Sequence, residues 1–220
     1  MEDESTVVGR ILQANTTRFT LGCQPAIASQ GEAIPAFGAL LKAFSNRADG
    51  RLVLYGLVQN VAVEDDLFVR QLVAAGMDDE VYIADQRQRR QVPVVVEVLL
   101  AGFAIDVRDA GASPELRHYL PPQPPGTLDQ VYSCGSAETV RFTARHDWLS
   151  VVLSAPDGAA DALTAAALRI AAWARPPEMR EPYLVAAGRE LARLLAQEPI
   201  RLDGILRQVR PSLAGAPDHS

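Results

Sequence analysis

Residues 91–105 read QVPVVVEVLLAGFAI. Val92, Val94, Val96 and Val98 alternate, so in an extended chain they share one face, while Val95, Leu99 and Phe103 make the opposite face apolar as well. The β-branched density predicts a strand. The 14 residues from Val92 to Ile105 include Glu97 and are too few to span a bilayer as a helix. A strand apolar on both faces must lie centrally or under a second layer. The stretch therefore predicts a sheet with something packed on its outside.

Working toward the N-terminus, the chain continues to read as β-structure. TVVGRILQ and TRFTLGCQ are separated by Ala14-Asn15-Thr16, a hairpin-like gap. IPAFGALLKAF and RLVLYGLVQNVAV are separated by SNRADG, a turn cluster. Each run contains a glycine, at Gly9, Gly22, Gly38 and Gly56, and such glycines mark the bulges and bends that curl a sheet into a barrel. Between these runs and Gln91, EDDLFVRQLVAAG predicts a short helix, capped by Asp65 or Asp66 and ended by Gly76.

Working toward the C-terminus, the next landmark is HYLPPQPPGTLDQVY, residues 118–132. Its prolines fix φ and remove N–H donors, which rules out a helix interior or a central strand. Its apolar ends predict an extended strap packed along the protein, with Tyr119, Leu120 and Tyr132 buried. Beyond it the period changes to that of a helix. Leu163, Ala167, Ile170 and Ala174 form one stripe, Leu184, Ala187, Leu191 and Leu195 a second, and Leu202, Ile205, Leu206 and Val209 a third. SAETVRFTARHDWLSVVLS reads as one or two helices, although DWLSVVLS alone also suits a strand. The predicted fold class is α+β: a small closed N-terminal β-barrel of about five to seven strands over residues 5–105, a proline-rich connecting strap over 106–135, a helical domain over 136–212, and a disordered tail over 213–220.

Composition sets the outer limits. The chain has 220 residues, is 48% apolar and carries a net charge of −6. Residues 1–120 hold 11 basic against 16 acidic side chains, and residues 121–220 hold 10 against 11. That balance is not the basic one of a dedicated nucleic-acid binder. Arginine supplies 20 of the 21 basic residues, and Lys42 is the only lysine. Cys23 and Cys134 match no zinc spacing and read as reduced thiols. The start, MEDESTVV, has no signal-peptide apolar core. The expected setting is cytoplasmic, without a membrane.

Motifs that carry chemistry are few. No glycine run precedes a GK[ST] triplet, and Lys42 sits in the strand-like ALLKAF, so ATP binding through a phosphate loop is not expected. No G-x-S-x-G elbow occurs; Ser133 and Ser136 merely flank Cys134-Gly135. A Cys134–His118 or Cys134–His146 nucleophile pair lacks an evident orienting residue. Glu64-Asp65-Asp66 suits a helix N-terminus and Asp78-Asp79-Glu80 a solvated loop better than a magnesium site. The patch worth testing is Arg87, Arg89 and Arg90, three positive charges on an acidic half, suited to a phosphate or an acidic partner. No catalytic, cofactor-binding or metal-binding residue is assigned, and no cofactor is expected.

The residues STVVGRILQANTTRFTL, IPAFGALLKAF, LYGLVQNV and QVPVVVEVLLAGF resemble a HAS barrel, the small β-barrel at the N-terminal ends of F-type ATP synthase subunits and of the HerA class of hexameric DNA translocases. The resemblance rests on a glycine-containing first strand, an aromatic-centred second strand and the strand LYGLVQN, and it covers roughly residues 5–105. Translocase members carry a phosphate-loop motor after the barrel, whereas this chain carries the proline run and helices. It is similar to stand-alone HAS-barrel proteins of bacteria. The resemblance implies ring assembly and docking of a partner such as a translocase or the nuclease that works with it. The favoured function is thus a non-catalytic assembly or adaptor protein in a DNA-processing machine, with a protein partner. Second stands a direct nucleic-acid binder using the barrel rim, ranked lower because aromatics are only 6% and the β half is acidic. Third stands a metal-dependent hydrolase built on the acidic clusters. The oligomeric state is left open.

Overall fold

A computed structural model of the chain describes residues 5–23, 34–47, 50–63, 74, 76, 94–106, 115–155 and 158–210. Seven strands and five helices follow in order among these residues. The strands are β1 (Val7–Ala14), β2 (Arg18–Cys23), β3 (Leu40–Arg47), β4 (Gly50–Val63), β5 (Val94–Asp106), β6 (Leu116–Arg117) and β7 (Gln130–Ser133). The helices are α1 (Ser136–Phe142), α2 (Trp148–Leu153), α3 (Ala160–Trp173), α4 (Pro177–Leu194) and α5 (Pro199–Val209). No helix among the described residues is long and apolar enough to cross a membrane.

Six strands close an antiparallel barrel in the order β2-β1-β7-β3-β4-β5, with β5 returning to pair with β2. β6 adds to the upper part of β5, where Phe103 and Ala104 face Arg117 and Leu116. The β1–β2 turn is held by one side chain. Asn15 Oδ1 accepts the N–H groups of Thr17 at 2.8 Å and Arg18 at 2.9 Å, an Asx turn that satisfies donors the hairpin would leave bare. The sixth barrel strand does not come from residues 5–105. β7 lies in the stretch expected to be a connecting strap, and it inserts between β1 and β3.

The valine-rich stretch forms β5, and its two apolar faces are both used. Val94, Val96 and Val98 point into the barrel with Phe19, Leu21 and Leu54. Leu99 and Ala101 point outward, under the helices, with Tyr55, Trp148 and Leu163. Phe103 departs from the expected parity. It joins the interior rather than the Leu99 face, because the β4–β5 register slips between Tyr55 and Gly56 and the extra residue reverses the alternation. Gly56 sits at that slip, where a Cβ would lie 2.5 Å from a Val98 methyl and 2.7 Å from the Leu99 carbonyl oxygen.

The run IPAFGALLKAF becomes a strand only from Leu40. Gly38 before it has φ +86°, a left-handed value, and a Cβ there would lie 2.7 Å from that of Ala166. The loop therefore presses its backbone onto α3. That helix is alanine-rich and buried around most of its circumference, at Ala160 and Leu163 through Leu168, and at Ala171 and Ala172. Small side chains let β4, α2, α4 and α5 all approach it. The ambiguous SAETVRFTARHDWLSVVLS resolves into two helices, α1 and α2. Ile170 and Ala174, placed on the buried stripe by periodicity, are only half-buried, because burial centres on the alanine face instead.

Within 118–132 the prolines are the anchors. Pro121 and Pro125 are buried, and the Pro124 carbonyl accepts a hydrogen bond from Ser45 Oγ at 3.2 Å. Tyr119 and Leu120 were expected to be buried, but they remain 52% and 43% exposed. Tyr119 meets the Phe103 ring in a T-shaped contact with ring centres 5.2 Å apart. The short helix expected over 64–76 and the tail fall outside the described residues, apart from residues 74 and 76.

Candidate functional site

Alternation along β3 sends Leu41 and Ala43 into the barrel and Leu40 and Lys42 outward, toward the helices. Lys42, the only lysine, thereby lands on a covered face, 7% exposed. Its cross-strand neighbours are Tyr55 on β4 and Tyr132 on β7. The chain leaves β7 through Cys134 and Gly135 and enters α1 at once, which lays Glu138 over the lysine. Lys42 Nζ donates to Glu138 Oε2 at 2.5 Å, and the Tyr55 hydroxyl donates to Glu138 Oε1 at 2.8 Å. Arg141, one turn on and half exposed, donates to the Tyr55 oxygen at 2.9 Å and stands 3.6 Å from Glu138.

An isolated buried charge is costly; a paired and hydrogen-bonded one is tolerated. Glu138 here has both carboxylate oxygens engaged. Burial, then the adjacent Glu138 charge, push the Tyr55 hydroxyl well above its ordinary pKa, so it stays protonated and keeps donating. Lys42, Glu138 and Tyr55 thus form a polar clasp between barrel and helices, with Arg141 as its solvent end. Among the cavities that border the described residues, two stand beside the helices. One of about 250 Å³ lies among Gln59, Asn60, Glu97 and the start of α3. The other, of about 590 Å³, lies between the α1–α2 turn and α4. Neither is lined by Lys42, Glu138 or Tyr55.

The histidines and cysteines take different places. His118 Nε2 lies 2.9 Å from the Phe142 carbonyl oxygen, which can only accept, so Nε2 carries the proton. Its Nδ1 lies 3.9 Å from Asp147, beyond hydrogen-bond distance. Burial is the main cause holding the His118 pKa below its usual value. His146 stacks on Tyr183 with ring centres 5.2 Å apart, and burial lowers its pKa too. Cys23 faces the barrel interior, where burial pushes its thiol up to about 11, an unreactive state. Cys134 is half-buried, and its N–H donates to the Leu40 carbonyl at 3.2 Å. Among the described residues no group of three His, Cys, Asp or Glu side chains is placed to hold a metal ion. Arg87, Arg89 and Arg90, and the acidic clusters 64–66 and 78–80, lie outside the described residues.

The clasp was missed because its members stand up to 96 positions apart. One signal was available: Lys42 shares its period-2 face with Leu40, so a covered β3 required an acid above it. No protein-family profile matches this chain, and no curated protein matches it.

Proposed function

We propose that this protein is a non-catalytic assembly or adaptor protein of the cytoplasm, docking a protein partner on the barrel face that the helices leave open. The observation that carries the reading is an apolar and strained spot where the residues before β7 bond to β1. Leu12 is 51% exposed and Leu128 is 64% exposed. Leu128 is also the one non-glycine residue with positive φ among those described, at +69°. A leucine in that conformation costs about 1–2 kcal/mol. It is held there by its N–H donating to the Ile11 carbonyl at 2.8 Å and by Arg10 donating to its own carbonyl at 2.9 Å. Strain maintained by several bonds, on an exposed apolar side chain, suits a binding surface.

In this reading the proline-rich segment is a strap that presents Leu128, and the clasp of Lys42 and Glu138 keeps helices and barrel in one orientation while a partner pulls on either. The resemblance to HAS barrels directs the first candidate partner to a hexameric translocase or its nuclease. The test is affinity capture from the native cell with cross-linking, comparing the wild type with Leu12→Asp. A discrete partner lost in the variant supports the reading. Identical captures, or capture of nucleic acid without protein, overturn it.

A further inference from the structure

The helices carry a second feature, which the clasp and the β1 spot do not use. Arg145 and His146 of the α1–α2 turn face Arg189 and Arg193 of α4 across the cavity of about 590 Å³. Residues 189 and 193 are one helical turn apart and so stand on one side of α4. Arg193 is held by Glu190 through two bonds of 3.0 and 2.5 Å, and Arg145 by Asp147 at 2.7 Å. Arg189 is exposed and makes no ion pair or hydrogen bond among the described residues. Three guanidinium groups against two carboxylates leave the groove net positive, on a chain whose net charge is −6. At its wall, His146 Nε2 is a buried polar atom without a hydrogen-bond partner among the described residues. A native protein leaves few such atoms, and they accumulate where a ligand or water completes the site.

The spacing indicates what would lie in the groove. Four residues of helix separate Arg189 from Arg193 by about 6 Å along the axis. Alternate residues of an extended chain are about 6.6 Å apart. We propose that this groove receives an extended acidic segment of a protein partner, with carboxylates at alternate positions meeting Arg189 and Arg193. The inference rests on the adaptor reading and names the chemistry of one contact. A nucleic-acid strand fits less well, because its phosphates repeat at every nucleotide and would stand against Asp147 and Glu190 as well as the arginines, whereas carboxylates at alternate positions can be matched to Arg189 and Arg193 alone.

The experiment uses the full chain and a fluorescent peptide of alternating glutamate and serine, read by anisotropy at low salt. The peptide is expected to bind. Arg189→Gln should weaken it about two- to five-fold and Arg189→Gln with Arg193→Gln about ten-fold, as for exposed charge pairs. Arg207→Gln, on α5 and paired with Asp203, should leave it unchanged. Thermal melts of all variants should match the wild type, since these side chains are exposed. Equal weakening by Arg207→Gln would reduce the effect to net charge and overturn the proposal, as would tighter binding of oligothymidine than of peptide. Absence of peptide binding while Leu12-dependent capture persists would remove the groove and leave the adaptor reading standing.

Discussion

Replacing Lys42 by methionine tests the clasp directly. Methionine keeps the length and apolar stem of lysine but removes the cation. Glu138 would then be a carboxylate in a site where its side chain is 6% exposed, still receiving the Tyr55 hydroxyl at 2.8 Å and facing Arg141 at 3.6 Å. Stranding one member of a buried ion pair costs about 3–5 kcal/mol. The two surviving partners place this case at the lower end, about 3 kcal/mol, or roughly 150-fold in the folded-to-unfolded ratio. Glu138→Gln should cost a similar amount, because it takes the carboxylate from beside the ammonium. The double variant should cost only about 1 kcal/mol, since glutamine still accepts from Tyr55 and no buried charge remains; the coupling is then about 5 kcal/mol, above the usual ~0.5–3 kcal/mol for neighbours because each single variant strands a buried charge. Urea unfolding followed by the fluorescence of the fully buried Trp148 measures all three. The midpoint should fall with an unchanged slope. A single-variant cost below about 1 kcal/mol, or a double-variant cost equal to the sum of the singles, would refute the reasoning.

Three further outcomes follow from the same structure. His118 and His146 both have pKa values lowered mainly by burial, so unfolding raises their proton affinity; stability should hold above about pH 7 and fall as the pH drops below the unfolded value of about 6.5. Denaturation at pH 8, 7, 6 and 5.5 should show this slope, shallower in His118→Gln. Gly38→Ala should destabilise by about 2–4 kcal/mol, since the new methyl combines a left-handed φ with overpacking against Ala166; a melt within 2 °C of wild type, about the shift of a loss under 1 kcal/mol, would contradict the close loop–helix approach. Leu128→Gly should stabilise by about 0.5–1 kcal/mol, seen as a higher melting temperature, because relief of backbone strain outweighs the added freedom of the unfolded chain.

What the amino-acid order determines by itself is local. The period-2 pattern of 94–98 and the helical patterns of 184–195 and 202–209 state which side of each element is buried, and Asn15 states where the first hairpin turns. Burial of a periodic face is a property of one segment, and a reader of that segment can see it. Three features are not of that kind. The register slip at Gly56 that turns Phe103 inward needs β4 and β5 side by side. The insertion of Gln130–Ser133 between β1 and β3 depends on where a short strand finds unpaired backbone groups, and four residues carry too little pattern to announce it. The meeting of Lys42 with Glu138 depends on a helix laid across a strand 96 positions away. Periodicity specifies that a face is covered, whereas only the path of the chain decides what covers it, and a buried charge is stabilised by that particular neighbour.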